Sequence, residues 1–215
     1  LFIVLEKDRE LVFTHKGSGS DDHNASEKGR MIPAQPVLAD ALQFPWERLV
    51  PESGKAPWKI IGNLPYNIAS PLMWELFSRS TGLGRAVFMI QKEVGERLTA
   101  DPGTGAYGAL TVWIRSFAAV RRLMVVPPSV FVPRPKVDSA VLVFTPLAER
   151  PRIEPGRFAA LLHKCFQRRR KQLGGILRAE WDDRIEVFLA GQGLSRLTRP
   201  EELTPKQFQE LAALV

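Results

Sequence analysis

The chain opens on LFIVLEKD (1–8), five apolar residues that do not alternate with polar ones and that close on acids. A short apolar run without alternation reads as a strand buried on both faces, the usual state of a strand in a parallel sheet. A parallel sheet needs helix-length crossovers, and the rest of the chain is patterned to supply them. PVLADAL (36–42) reads as a short strand ending at Asp40, and WKIIGN (58–63) as a strand. ASPLMWELFSRS (69–80) has helical spacing, and RAVFMIQKEV (85–94) is an apolar strand running into a helix through Glu96 and Leu98. TGAYGALTVWIRSFA (104–118) is expected to be helical, AVRRLMVVPP (119–128) a strand closed by prolines, and KVDSAVLVFTPL (136–147) the last strand. The last two strands have no helix-length spacer, so they are expected to pair antiparallel. The predicted class is α/β, with a mostly parallel sheet and right-handed connections. From Ala148 the chain reads as helices only, and ERPRIEP (149–155) is taken as the boundary. A domain rarely starts on a central strand, so residues upstream of Leu1 are expected.

Composition narrows the partner. The 215 residues, 45% hydrophobic and 25% charged, suffice for a core without staples. The single cysteine, Cys165, excludes a disulfide framework and a multi-cysteine zinc site, which fits a reducing, cytoplasmic compartment. No apolar stretch approaches a membrane span, and the start lacks a cationic lead, so a soluble protein is expected. Thirty Lys and Arg against 23 Asp and Glu give a net charge of +7, and the sequence pI is about 9.9, which favours a polyanionic partner. The polar stretch 15–30 reads as a loop, and its His15, Asp21, Asp22 and His23 as solvated residues; no metal is expected.

Ligands of such sheets sit at the carboxyl ends of the strands. Three expected strands present a polar residue there: Glu6, Asp40 and Asn63. Strand-end carboxylates can accept hydrogen bonds from ribose hydroxyls or from an adenine amine, although acids also end strands simply because turns favour them. Asn63 opens the sequence Asn63-Leu64-Pro65-Tyr66. It holds no acid, strong base or thiol, yet it suits one reaction. An amine on an aromatic base is a poor nucleophile because its lone pair is delocalised into the ring. Two neutral acceptors, the Asn63 side-chain oxygen and the Leu64 carbonyl, can hold the amine protons so that the lone pair points at an incoming methyl group. Pro65 keeps Leu64 extended, and Tyr66 offers a face on which a base can stack. Such a base must be unpaired or flipped out of a duplex.

GNLPYNIASPL (62–72), KEVGERL (92–98), YGAL (107–110) and PPSVFVPRPKVDSAV (127–141) together resemble the ribosomal RNA adenine dimethyltransferase family of the KsgA/RsmA type. The resemblance runs from Glu6 to the C-terminus. It implies a class I, Rossmann-like S-adenosylmethionine methyltransferase fold over residues 1–147 and a small helical RNA-binding domain over 148–215. It implies dimethylation at N6 of two adjacent adenosines in a hairpin near the 3′ end of small-subunit rRNA, a step of ribosome biogenesis. By the same resemblance Glu6 holds the cofactor ribose and Asp40 the cofactor adenine. Asn63 lies between cofactor and amine, Tyr66 stacks on the target base, and Phe131 packs on its other face. The family's glycine-rich cofactor loop precedes the position of Glu6. With Leu1 as the first residue, the methyltransferase domain is expected to be N-terminally incomplete, and the chain as given to bind cofactor weakly or not at all.

The C-terminal stretch supports an RNA partner. Residues 148–215 carry thirteen Lys and Arg against nine Asp and Glu, a net of +4. In RFAALLHKCFQRRRKQLGGILRAEW (157–181), Phe158, Leu161, Leu162, Cys165, Phe166, Leu173, Ile176 and Leu177 fall near helical spacing. Arg168, Arg169, Arg170 and Lys171 form one basic turn, read as contacts to the phosphate backbone, with Arg134 and Lys136 beside the base pocket. His163 and Cys165 fit helix packing better than a catalytic dyad. The expected partner is the immature small subunit, met by a monomer with no membrane contact. Two other readings stay open: an Erm-type enzyme acting on large-subunit rRNA, and a non-catalytic ribosome-assembly factor with the same fold. A DNA amino-methyltransferase is disfavoured, since no room remains for a target-recognition domain.

Overall fold

The computed structural model describes residues 2–6 and 34–215, residue 52 excepted. They fall into two compact units, one up to Trp46 and one from Glu47 to Val215. The 15–30 loop with His15, Asp21, Asp22 and His23 lies outside the described residues.

In the first unit, β1 (Phe2–Glu6) and β2 (Ala34–Leu38) pair in parallel, with Glu6 opposite Leu38. The non-alternating opening run is therefore a parallel strand, as its pattern required. Both strands run the same way, so Glu6 and the segment leading to Asp40 leave the sheet at one end.

The second unit contains a four-stranded sheet in the order β3-β4-β6-β5, formed by β3 (Trp58–Asn63), β4 (Leu83–Gln91), β5 (Ala118–Val126) and β6 (Ser139–Pro146). Strands β3 and β4 are parallel, joined through α1 (Ala69–Arg79). The last strand, β6, runs antiparallel to β5, as expected, and also inserts antiparallel beside β4. One face carries Ala86, Phe88 and Ile90 of β4 and Ala140, Leu142 and Phe144 of β6, all buried. Leu72, Met73, Leu76 and Phe77 of α1 are buried too, with the Phe77 ring 5.0 Å from that of Phe144. Helix α2 (Lys92–Leu98) follows β4 directly; its Gly95 leaves room for Leu142, whose Cδ1 would lie 3.1 Å from any Cβ there.

Helix α3 (Ala109–Phe117) is shorter than its periodicity predicted. Residues 101–108 form turns instead, with Gly103 at a φ of +83°, a conformation that suits glycine. Trp113 of α3 stacks on Trp74 of α1 at 3.9 Å and donates its indole N–H to the Trp74 carbonyl at 3.0 Å. On its other side lies Phe158 of α4 (Pro155–Gln167), 5.5 Å away and nearly parallel. After residue 147 the described chain is indeed free of strands: α4, α5 (Leu173–Ile176), α6 (Asp183–Gly191) and α7 (Pro205–Ala212) follow. The ERPRIEP stretch is anchored: the Arg150 guanidinium donates to the carbonyls of Phe77, Ser78 and Ser80 at the C-terminal end of α1. This supplies acceptor-rich helix-end carbonyls with the donors they lack.

Candidate active site

The β3–α1 turn is held down by its apolar residue, Leu64, while Asn63, Pro65 and Tyr66 around it stay exposed. Ile60 and Ile61 favour an extended backbone, and Gly62 ends the run because space above it is taken. A Cβ at Gly62 would come within 3.1 Å of Leu64 Cδ2 and 3.4 Å of a Phe88 ring carbon. Leu64 is thereby buried over Gly62, and its N–H donates to the Met89 carbonyl at 3.0 Å, extending the β3–β4 ladder by one bond. The Pro65 carbonyl accepts from the N–H groups of Ile68 and Ala69, which starts α1. Asn63 is exposed at the C-terminal end of β3, and Tyr66 is exposed with 37% of its surface accessible. Among the described residues, no group is hydrogen-bonded to the Asn63 carboxamide or to the Leu64 carbonyl.

The structure joins this turn to residues that the sequence did not single out. The Tyr66 hydroxyl lies 3.0 Å from Ser139 Oγ, at the start of β6. Ser139 is only 1% exposed. The preceding Asp138 accepts the Lys92 N–H on its carbonyl at 3.0 Å, and its carboxylate meets Lys92 Nζ at 3.3 Å. The signal was present in the sequence as Asp-Ser opening a buried strand and Lys-Glu opening a helix, but strand order alone tells that these ends meet.

Phe131 follows a short 3-10 turn (Pro128–Val130), half-buried, in the loop between β5 and β6. Arg134 and Lys136 are exposed on that same loop. In the first unit, Asp40 accepts the Leu42 N–H at 3.1 Å on its carboxylate and the Gln43 N–H on its carbonyl, a turn that fixes the carboxylate just past β2. Glu6 closes β1 at the same sheet end. Both positions lie at the carboxyl end of a parallel pair, where ligands of open α/β sheets bind.

The basic run differs from expectation. Helix α4 stops at Gln167, and residues 168–171 form turns before α5, so they do not make one turn of a continuous helix. Stacked cations repel along a helix, whereas just beyond a helix C-terminus they meet its partial negative charge. Arg168, Arg170 and Lys171 are exposed and, with Gln167, Arg169 and Gly175, line an open cavity of about 610 Å³. Arg169 is turned inward: it meets Glu201 at 2.8 Å and donates to the carbonyls of Gly105 at 2.7 Å and Thr104 at 2.8 Å. Three of its donors are thus engaged within the protein, which sets it apart from its neighbours. Cys165 is fully buried, and burial pushes its thiol up to about 12, as a packing residue requires. Among the described residues, no cluster of His, Cys, Asp or Glu could hold a metal, and no helix is long and apolar enough to cross a membrane.

The family profile described as "Ribosomal RNA adenine dimethylase" matches residues 3–214. The chain belongs to that family. A relative named "Ribosomal RNA small subunit methyltransferase A", from Nitratidesulfovibrio vulgaris strain Hildenborough, is 53% identical over 201 residues, which cover 90% of this chain and 74% of the relative. Two solved structures share the fold. The first, "Crystal structure of a dimethyladenosine transferase from Plasmodium falciparum", aligns with a TM-score of 0.71 at 22% identity, covering 97% of this chain and 79% of the other. The second, "Crystal structure of 23S rRNA methyltransferase ErmE", aligns with a TM-score of 0.63 at 23% identity, covering 99% and 80%. The Rossmann-like methyltransferase fold is therefore shared well beyond close relatives.

Proposed function

We propose that this protein uses S-adenosylmethionine to dimethylate N6 of two adjacent adenosines in a hairpin near the 3′ end of small-subunit rRNA. The observation that carries the reading is the Asn63-Leu64-Pro65-Tyr66 turn in a chain of this family: at a strand end, an exposed Asn63 and a Leu64 carbonyl with no hydrogen bond from the described residues stand beside a partly exposed Tyr66. The Asn63 side-chain oxygen and the Leu64 carbonyl accept hydrogen bonds from the adenine amine, which turns the nitrogen lone pair out of the ring plane; the proton displaced by the methyl group leaves to solvent after transfer. Tyr66 holds the base by stacking, worth roughly 1–3 kcal/mol, and Phe131 covers its other face. Glu6 and Asp40 hold the cofactor's ribose and adenine. When bound, the cofactor supplies an electrophilic methyl group that needs no acid to activate it. The protein's work is then positioning and polarisation, since the amine proton becomes acidic only after methylation.

RNA is gripped through its phosphates by Arg134, Lys136, Arg168, Arg170 and Lys171, on the methyltransferase region 1–147 and the helical region 148–215 respectively. The partner is the immature small subunit, in the cytoplasm, approached by a monomer. A large-subunit target is less well supported, because the relative at 53% identity is named for the small subunit and the large-subunit enzyme shares only the fold.

Transfer of a labelled methyl group to small-subunit rRNA, with N6,N6-dimethyladenosine identified in the digest, tests the reading. Asn63→Ala should lower turnover by at least about 100-fold, as losing a transition-state hydrogen bond does elsewhere, while RNA affinity stays within about twofold. Equal loss of turnover and RNA binding would make Asn63 a structural residue, and a full-length protein that transfers no methyl group to this RNA would refute the assignment.

A further inference from the structure

Tyr66 is partly exposed, yet its hydroxyl is engaged inside the protein. The residue is 37% exposed, while its hydroxyl reaches Ser139 Oγ at 3.0 Å, and Ser139 is 1% exposed. Ser139 is held from three sides. It is the first residue of β6, the strand flanked by β4 and β5, and it pairs with Gln91 on one side and Val126 on the other. The residue before it is tied to the start of α2 twice, by the Asp138 carbonyl to the Lys92 N–H and by the Asp138 carboxylate to Lys92 Nζ. By contrast, Tyr66 stands on a turn at the sheet's outer strand.

We infer that Ser139 is the positioning residue of the base platform: its hydroxyl pins the Tyr66 phenol, so the angle of the ring is set by β6 rather than by the turn that bears it. This rests on the proposed stacking of the target base on Tyr66 and deepens it. The pin removes the ring's freedom before a base arrives, which is the preorganisation a stacking platform needs. It also explains why the position carries Tyr and not Phe. With its phenol oxygen directed to Ser139, Tyr66 meets the base through its ring face.

The test uses the full-length protein and an rRNA hairpin with 2-aminopurine at the target adenosine, whose fluorescence is quenched on stacking, beside steady-state methylation of the natural hairpin. Ser139→Ala and Tyr66→Phe should each lower kcat roughly three- to tenfold, the loss of one neutral hydrogen bond. KM for RNA should stay near its original value, and the quench should weaken. The double variant should be no worse than either single one, since both remove the same bond. Ser139→Thr, which keeps the hydroxyl, should restore kcat and quench. If Ser139→Ala does not fold, Tyr66→Phe at its exposed site reads the same bond. Unchanged kcat and quench, or losses that multiply in the double variant, would overturn the inference. If no variant or parent methylates the RNA yet Ser139→Ala still weakens the quench, the pin stands and the enzymatic assignment falls.

Discussion

A residue's reactivity here follows from where its atoms end up, and Cys165 shows it most simply. On sequence it could pass for a nucleophile beside His163, but it faces the helical core with no exposed surface. His163 instead sits outside, hydrogen-bonded to Gln167 at 2.6 Å. Burial lifts the Cys165 thiol from about 9 to about 12, with Lys164 and Glu180 making smaller, opposed contributions. At pH 8 this leaves roughly a thousandfold less thiolate than an ordinary cysteine offers. The folded protein should accordingly resist maleimide at pH 8 over hours, and react fully in denaturant. Prompt labelling of the native state would show that the α4 core opens. The same logic separates Asn63, an exposed residue, from Leu64, whose side chain is spent on fixing the turn.

At the scale of elements, most boundaries were readable from the sequence because local signals agreed with tertiary packing. The span WKIIGN is β3 to the residue, and the helical spacing of 69–80 became α1. The failures were turns whose residues also fit a helix. Residues 104–108 carry helical spacing with α3, but Gly103, Gly105 and Gly108 leave the backbone free to turn. Residues 157–181 show one apolar stripe because α4 and α5 bury the same side against one core, and nothing in that stripe marks the break at Gln167. Where caps exist, boundaries are sharp. Glu154 precedes Pro155 and accepts the N–H groups of Gly156 and Arg157 at the start of α4. These hydrogen bonds, that from Arg157 foremost, hold its carboxyl below the usual carboxylate range. A group whose folded pKa is depressed stabilises above its unfolded pKa and loses that effect as pH falls through the folded value. Glu154→Ala should therefore lower the thermal midpoint at pH 7, and the gap from the parent should close on acidification below about pH 4. A gap independent of pH, followed by circular dichroism, would mean that the cap acts through shape and not charge.

At the scale of the whole molecule, the question is how a chain of net charge +7 divides its cations between holding itself together and holding RNA. Sequence treats Arg168 to Lys171 as equivalent, since four adjacent cations carry no mark of direction. Structure divides them by what surrounds each. Arg169 binds Glu201 and two carbonyls of the 101–108 turns, so it fastens the end of α4 to the approach of α3 and to the 3-10 turn Pro200–Glu202. Arg168, Arg170 and Lys171 are exposed around the cavity of about 610 Å³. Each phosphate neutralised contributes about 0.7 to 0.9 to the slope of log affinity against log salt. Replacing Arg168, Arg170 and Lys171 with Gln should therefore weaken binding to small-subunit rRNA and flatten that slope by about two. The thermal midpoint should hardly move, because exposed charges contribute little to stability. Arg169→Gln should do the reverse: the slope stays, and stability falls by about 1 kcal/mol, because a partly buried ion pair to Glu201 and hydrogen bonds to two carbonyls are lost. Titrations of rRNA at several salt concentrations, set beside denaturant melts of both variants, separate the two roles. A slope that flattens equally for Arg169→Gln would return that residue to the RNA surface and undo the division.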